Sequence, residues 1–152
     1  MQLISPTKQH IQQMLGWFTN KQQSTTWGGP QFRYPFTEQS FIEDLKLDTL
    51  ASHVIEDSEG RCLAFGQYYA RVGRCHLGRL AVSPAHRGQG IGKQLIHLLT
   101  QQGKTQLGVS ECSLFVYEDN RQAYQLYLRL GFREMDYPEA MPMAECLYMV
   151  LA

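Results

Sequence analysis

The chain has 152 residues, of which 43% are hydrophobic, 18% charged and 11% aromatic, and its formal net charge is zero. This length predicts one domain over residues 1–152, and the balanced charge excludes a strongly basic nucleic-acid-binding protein. The sequence contains no apolar run near the roughly 20 residues of a membrane span and no secretory signal segment. We therefore expect a soluble cytoplasmic protein with reduced cysteines and with neither nucleic acid nor membrane as a partner.

The N-terminal third predicts a short strand followed by two helices. Residues 2–4 form the strand, and apolar residues at helical spacing predict a helix over residues 8–18 that Thr7 can cap. Residues 20–36 are rich in Ser, Thr, Gly and Pro with interleaved aromatic residues, which indicates a long loop. Its Trp27 either packs in the core or walls an acceptor pocket. A second helix follows Thr37 and ends near Lys46.

The remaining sequence predicts a sheet with two crossover helices. Three adjacent antiparallel strands are expected over residues 53–55, 62–71 and 74–82. A helix then starts at Ile91 and ends at Gly103, a strand covers residues 113–117, and a second helix covers residues 120–130. Residues 132–135 and 146–151 close the sheet. The order indicates an α/β fold with a mixed, mostly antiparallel sheet.

Charge is segregated along the chain. Residues 61–110 contain no Asp or Glu but include seven of the fourteen Lys and Arg residues. Such a block favours a polyanionic ligand, unless the side chains point in different directions and only interact with solvent.

A glycine-rich turn lies inside this basic block, between the strand that ends at Val82 and the helix that starts at Ile91. Glycines in this position leave backbone N–H groups accessible to a phosphate. The spacing fits neither the dinucleotide fingerprint nor the P-loop. The predicted phosphate-binding residues are Arg87, Gly88, Gln89, Gly90, Ile91, Gly92 and Lys93.

Two motifs together resemble a known superfamily. Arg-Gly-x-Gly-Ile-Gly at residues 87–92, preceded by Leu-Ala-Val-Ser-Pro, resembles the first signature of the GCN5-related N-acetyltransferases (GNAT). Asn120-x-x-Ala-x-x-Leu-Tyr127, followed by Gly131-Phe132, is similar to the second signature. The resemblance implies a single-domain GNAT fold with a sheet splayed at the cofactor cleft, about four flanking helices and acetyl-coenzyme A as co-substrate, without a metal.

The resemblance also implies roles for individual residues. The pantetheine arm would pair with the strand residues Leu80, Ala81 and Val82, and the Leu80 amide would face the developing oxyanion. Asn120 would hold the pantetheine, and Tyr127 would protonate the departing thiolate.

The sequence also offers candidates for the general base and for the acceptor site. His76 lies four residues before Leu80, where many relatives have a glutamate, and it could be a base or a hydrogen-bonded strand residue. Tyr117 and Glu118 end a strand near the expected acetyl site, where Glu118 either binds a cationic substrate or is solvated. Phe115 replaces a glutamate of many enzymes that acetylate protein N-termini, which favours a small amine over a peptide.

The sequence therefore predicts an N-acetyltransferase that transfers acetyl directly from acetyl-coenzyme A to a primary amine and acts as a monomer or homodimer. A non-catalytic acyl-coenzyme A sensor or partner-binding module is the main alternative, and a plain nucleotide-binding α/β domain is a third.

Overall fold

A computed structural model describes residues 1–152 and contains five α-helices and one six-stranded sheet. The helices are α1 (Lys8–Met14), α2 (Lys21–Gly28), α3 (Glu38–Leu45), α4 (Ile91–Leu107) and α5 (Arg121–Arg129). The strands are β1 (Ala51–Glu56), β2 (Cys62–Arg71), β3 (Arg74–Val82), β4 (Cys112–Tyr117), β5 (Arg133–Glu134) and β6 (Cys146–Leu151). The predicted α/β class with a mixed sheet is confirmed.

The sheet has the strand order β1-β2-β3-β4-β6-β5. Strand β4 is parallel to β3 and antiparallel to β6. The parallel pairing covers only three residue pairs and ends at Leu77 and Leu114, although β3 continues to Val82 and β4 to Tyr117.

The chain divides into two compact units. Unit 1 comprises Met1–Gln67 and Arg79–Leu99, and unit 2 comprises Tyr68–Gly78 and Thr100–Ala152. The expectation of a single domain stays a prediction.

The core of unit 1 is aromatic. Phe18 and Trp27 stack with ring centroids 4.2 Å apart, and Trp27 lies 5.6 Å from Phe41, which is fully buried. Side chains of α1, α3, β1 and β2 complete this cluster. Such stacked rings bury large apolar surfaces and stabilise the packing of the short N-terminal helices against the sheet.

Four of the predicted elements are wrong or need correction at their ends, the fourth being α4. Residues 21–28 form helix α2 instead of a loop, and Asn20 caps it by accepting a hydrogen bond from the Gln23 amide. Residues 2–4 form no strand, only a single bridge between Ile4 and Val54. Helix α1 ends at Met14 rather than near residue 18.

Gly103 lies inside α4 and does not end it. A methyl group at this position would lie 2.4 Å from the Cys75 sulfur and 3.2 Å from the Tyr68 ring. The glycine is therefore required by close packing of the helix on the sheet, not by a left-handed cap.

No helix is long and apolar enough to cross a membrane.

Candidate active site

The glycine-rich segment of unit 1 forms an exposed turn between β3 and α4. A short 3₁₀ turn (Pro84–His86) follows β3, and Ser83 anchors it by donating its amide hydrogen bond to the Leu63 carbonyl at 2.8 Å. Gly88 and Gly90 have φ values of 78° and 79°, and no atom lies within 4 Å of a Cβ built on either. Glycine is required by the left-handed backbone, and the space above the turn is open.

The backbone amides of this turn have no acceptor in the protein backbone. Residues 87–93 donate no such hydrogen bond, and the first donor of α4 is the Gln94 amide, bonded to the Gly90 carbonyl at 3.2 Å. Arg87 and Lys93 are exposed and make no ion pair. The turn thus combines free donors, the positive end of a 17-residue helix and two cations, which suits a pyrophosphate.

The backbone of β3 leaves the extended conformation at Arg79, just before the predicted pantetheine-binding residues Leu80, Ala81 and Val82, and we call this feature the Arg79 kink. Arg79 has φ of 48°, an unusual value for a residue with a side chain. Its carbonyl accepts a hydrogen bond from the Trp27 indole at 2.8 Å, and its Nε donates to the Gly28 carbonyl at 3.1 Å. Arg79 also donates to Gln67 at 3.1 Å. Sequence reasoning missed this kink because its partners come from distant parts of the chain.

Leu80 is held from the other side by β2. A methyl group at Gly66 would lie 2.9 Å from the Leu80 side chain and 2.6 Å from Leu99. Leu80 therefore packs directly on the backbone of Gly66. This packing and the hydrogen bonds of Arg79 restrain the part of β3 that contains Leu80.

In unit 2, Asn120 and Tyr127 lie at opposite ends of α5. Asn120 caps the helix, because its side-chain oxygen accepts a hydrogen bond from the Ala123 amide at 3.4 Å. The Tyr127 ring packs 5.9 Å from the buried Phe132. Its hydroxyl makes no hydrogen bond within the chain, and burial raises the pKa of Tyr127 to about 12. A protonated phenol without a competing acceptor is available to donate a proton.

His76 is buried, with 2% of its surface exposed. Its Nδ1 lies 2.8 Å from the Ser113 hydroxyl, and its ring stacks edge-on to Phe115 at 4.6 Å. Burial first, and then the positive charge of Arg71, lower the pKa of His76 to about 3. The imidazole is neutral at physiological pH but accepts a proton poorly. These observations favour the hydrogen-bonded strand residue over the base, and the base role stays a prediction.

Tyr117 and Glu118 close β4. Burial raises the pKa of Tyr117, and the carboxylates of Asp119 and Glu145 add to the effect. Glu118 is exposed, and its amide donates to the Glu145 carbonyl at 2.8 Å. The role of these two residues in acceptor binding stays a prediction. So does that of Trp27, which the structure shows packed against Phe18 and Phe41.

No group of three or more His, Cys, Asp and Glu side chains lies close enough to hold a metal ion.

Comparison with known proteins identifies the family. A model of the Acetyltransferase (GNAT) family matches residues 18–132. The chain belongs to this family. It is 33% identical over 106 residues to a thialysine N-epsilon-acetyltransferase from Sus scrofa; the match covers 66% of this chain and 61% of the relative's length.

Solved GNAT structures show the same fold. The spermidine N-acetyltransferase from Vibrio cholerae, in complex with CoA and spermine, has a TM-score of 0.72 at 18% identity, covering 98% of this chain and 93% of that one. The ribosomal-protein-S18-alanine N-acetyltransferase from Escherichia coli has a TM-score of 0.65 at 20% identity, covering 98% and 91%. Since one of these proteins is named for a small amine and the other for a protein, the shared fold does not specify an acceptor.

Proposed function

We propose that this GNAT protein is an acetyl-coenzyme A-dependent N-acetyltransferase that acetylates a small primary amine by direct attack. The observation that carries the proposal is the open turn with its unbonded amides at residues 87–93. A Cβ on Gly88 or Gly90 would project into open space, so the turn has room for a phosphate group. The residues present therefore fit the cofactor.

Different residues would bind the pyrophosphate and the pantetheine arm of the cofactor. The amides of residues 87–93 would hold the pyrophosphate, with Arg87 and Lys93 adding salt-sensitive attraction. The backbone of Leu80, Ala81 and Val82 would pair with the pantetheine arm, and the Asn120 side chain retains its amide protons for the same purpose. When bound, the co-substrate supplies an acetyl thioester.

The Leu80 amide would stabilise the negative charge that develops on the thioester oxygen. A preorganised backbone donor of this kind is worth about 3 kcal/mol. The hydrogen bonds of Arg79 and the packing of the Leu80 side chain on Gly66 would restrain this part of β3 and so support a preorganised donor.

Tyr127 would give its proton to the departing thiolate. With a phenol pKa near 12 and a thiol pKa near 8.5, complete transfer is uphill by about 5 kcal/mol. The hydroxyl would therefore donate its proton while the carbon–sulfur bond breaks, because negative charge accumulates on the sulfur at that stage.

The amine would enter the reaction in its neutral form. His76, with a pKa near 3, is too weak an acceptor to deprotonate an ammonium group of pKa about 10. We propose that the proton is lost to solvent before attack. The rate constant kcat/KM should then rise tenfold per pH unit up to the pKa of the amine, and His76→Gln should keep the same slope.

The acceptor would be a small molecule. The relative named for thialysine supports this class, and Phe115 in place of a glutamate disfavours a protein N-terminus. Tyr117 and Glu118 would meet the cationic part of the acceptor at the end of β4.

No cysteine is suited to carry the acetyl group. Burial raises the pKa of Cys62 to about 12 and that of Cys146 to about 11, and the hydrogen bond with Cys112, together with burial, raises the pKa of Cys75. These three thiols stay protonated at neutral pH and are poor nucleophiles. The same hydrogen bond lowers the pKa of Cys112, but this residue is fully buried and cannot meet a substrate. Direct attack by the amine needs no such intermediate. All four cysteines are free, which fits the cytoplasm as the compartment.

The test combines binding with turnover. Coenzyme A at 100 times its Kd should stabilise the fold by about 2.7 kcal/mol, seen as a rise in melting temperature, whereas ATP and NAD should not. Thiol release from acetyl-coenzyme A is then measured over a panel of small amines. Stabilisation without turnover on any amine would favour the sensor, and the absence of stabilisation would overturn the cofactor assignment.

A further inference from the structure

Arg71, at the end of β2, lies in a cluster of neutral aromatic side chains in unit 2. The guanidinium carbon is 5.5 Å from the Tyr69 ring centroid and 5.2 Å from that of Phe115. Its Nη1 donates to the Tyr137 hydroxyl at 3.1 Å, and its Nη2 donates to the Tyr69 hydroxyl at 3.4 Å. The rings thus hold the plane of the guanidinium in a fixed orientation.

This cation has no anionic partner. Arg71 takes part in none of the ion pairs of the protein, and its Nε is buried without a hydrogen-bond acceptor. Arg74, three residues further on, has the anionic partner that Arg71 lacks: it donates to the Glu111 carboxylate at 3.0 Å and to the Tyr148 hydroxyl at 3.2 Å. A partly buried charge with an unused donor is costly unless something neutralises it.

The side chains that contact Arg71 do not neutralise its charge. Tyr69, Phe115 and Tyr137 bear no carboxylate, and His76, which contacts Tyr69 and Phe115, is neutral. The charge of Arg71 also disfavours protonation of His76. An incoming anion would therefore meet an uncompensated positive potential.

The cluster adjoins a residue proposed to meet the acceptor. Phe115, on which Arg71 stacks, lies two residues before Tyr117 in β4, so the two side chains lie on the same face of that strand. Arg71 as a whole is partly exposed.

We propose that Arg71 binds the carboxylate of the acceptor, so that the substrate class is an amino acid with a side-chain amine rather than a polyamine. A carboxylate matches the planar donors of a guanidinium, and the phenols of Tyr69 and Tyr137 can also donate to it. This inference rests on the proposed function, because it names the second substrate of the same reaction.

The experiment compares lysine with cadaverine, which lacks only the carboxylate. The wild-type protein should show a higher kcat/KM for lysine, and Arg71→Gln should reduce the ratio of the two values by about 10- to 100-fold. Arg71→Lys keeps the charge but not the planar donors and should give an intermediate ratio. Arg74→Gln is the matched control, since that arginine already has a carboxylate partner, and it should leave the ratio unchanged.

A binding measurement makes the test independent of turnover. With coenzyme A present, lysine should raise the melting temperature of the wild type more than cadaverine does, and Arg71→Gln should abolish the difference. Equal losses for both amines in Arg71→Gln would mean that Arg71 is only a packing element and would overturn the proposal. If Arg71→Gln abolished the stabilisation by coenzyme A, Arg71 would instead bind an anionic group of the cofactor. That outcome would also overturn the proposal.

The failure of the proposed function looks different. In that case no amine is acetylated, although lysine still stabilises the wild type through Arg71. If lysine and cadaverine stabilise the protein equally, the carboxylate site is refuted whether or not turnover occurs.

Discussion

Trp27 donates a hydrogen bond to Arg79, and Arg79 donates one back to the residue that follows Trp27. The Trp27 indole donates to the Arg79 carbonyl at 2.8 Å, and the Arg79 side chain donates to the carbonyl of Gly28, the next residue after Trp27. Since Arg79 has a left-handed φ of 48°, these bonds stabilise a backbone conformation that the residue does not prefer. The next residue along β3 is Leu80, whose amide is the proposed donor to the oxyanion.

We expect Trp27→Phe to lower kcat about tenfold while leaving coenzyme A affinity unchanged. The ring is retained, but the bond to the Arg79 carbonyl is lost, which costs about 1 kcal/mol of stability and loosens the Leu80 donor. Steady-state kinetics and melting temperatures with coenzyme A measure both effects. Trp17→Phe is the control, because Trp17 is buried in the same core. Equal kcat values for the two variants would contradict the positioning role.

Gly90→Glu should raise the Kd for coenzyme A at least tenfold. The new side chain would project into the open space above the turn and place a negative charge beside the phosphates. Calorimetry measures the affinity. Gly108→Glu is matched in charge and in its positive φ of 66°, and it also has nothing within 4 Å of its Cβ. Gly108→Glu should bind coenzyme A with the affinity of the wild type. An unchanged affinity in Gly90→Glu would show that the phosphates bind elsewhere.

Tyr127→Phe should lower kcat by about 100-fold with little change in coenzyme A affinity. The variant keeps the packing against Phe132 and removes only the proton donor. Tyr124→Phe, on the same helix, removes a hydroxyl that is bonded to Glu134 and serves as the control. A kcat equal to that of the control would exclude Tyr127 as the acid.

His76 should make stability depend on pH. Its pKa is near 3 in the folded state and near 6.5 in the unfolded chain, so the unfolded state binds more protons as the pH falls below 6.5. Stability is then complete above pH 6.5 and decreases by up to about 1.4 kcal/mol per pH unit toward pH 3. Urea unfolding from pH 7 to pH 5 should show a smaller decrease for His76→Gln than for the wild type. Parallel curves would mean that His76 is not buried in its neutral form.

The glycine-rich turn and the elements on either side of it were largely predictable from sequence. Gly88 and Gly90 are required by positive φ, and a local backbone requirement leaves a direct signal in the sequence. The strand before this turn and the helix after it have clear periodicity, so both were found.

Features that depend on distant contacts were not predictable. Helix α2 has no apolar periodicity, and Trp27 connects it to a core assembled from other elements. Arg71 gave no signal beyond its charge, since its partner Tyr137 is 66 residues away. Residues proposed to bind the acceptor depend on such distant contacts, so they can be identified only once the fold is known.

The contact between Gly103 and Cys75 has a consequence for oxidative damage. A thiol that fits against a bare helix backbone has no room for an added oxygen, so oxidation of this sulfur requires the helix to separate from the sheet first. Oxidation of Cys75 should therefore be limited by local unfolding, and a bound substrate that suppresses this unfolding would protect a residue it never touches.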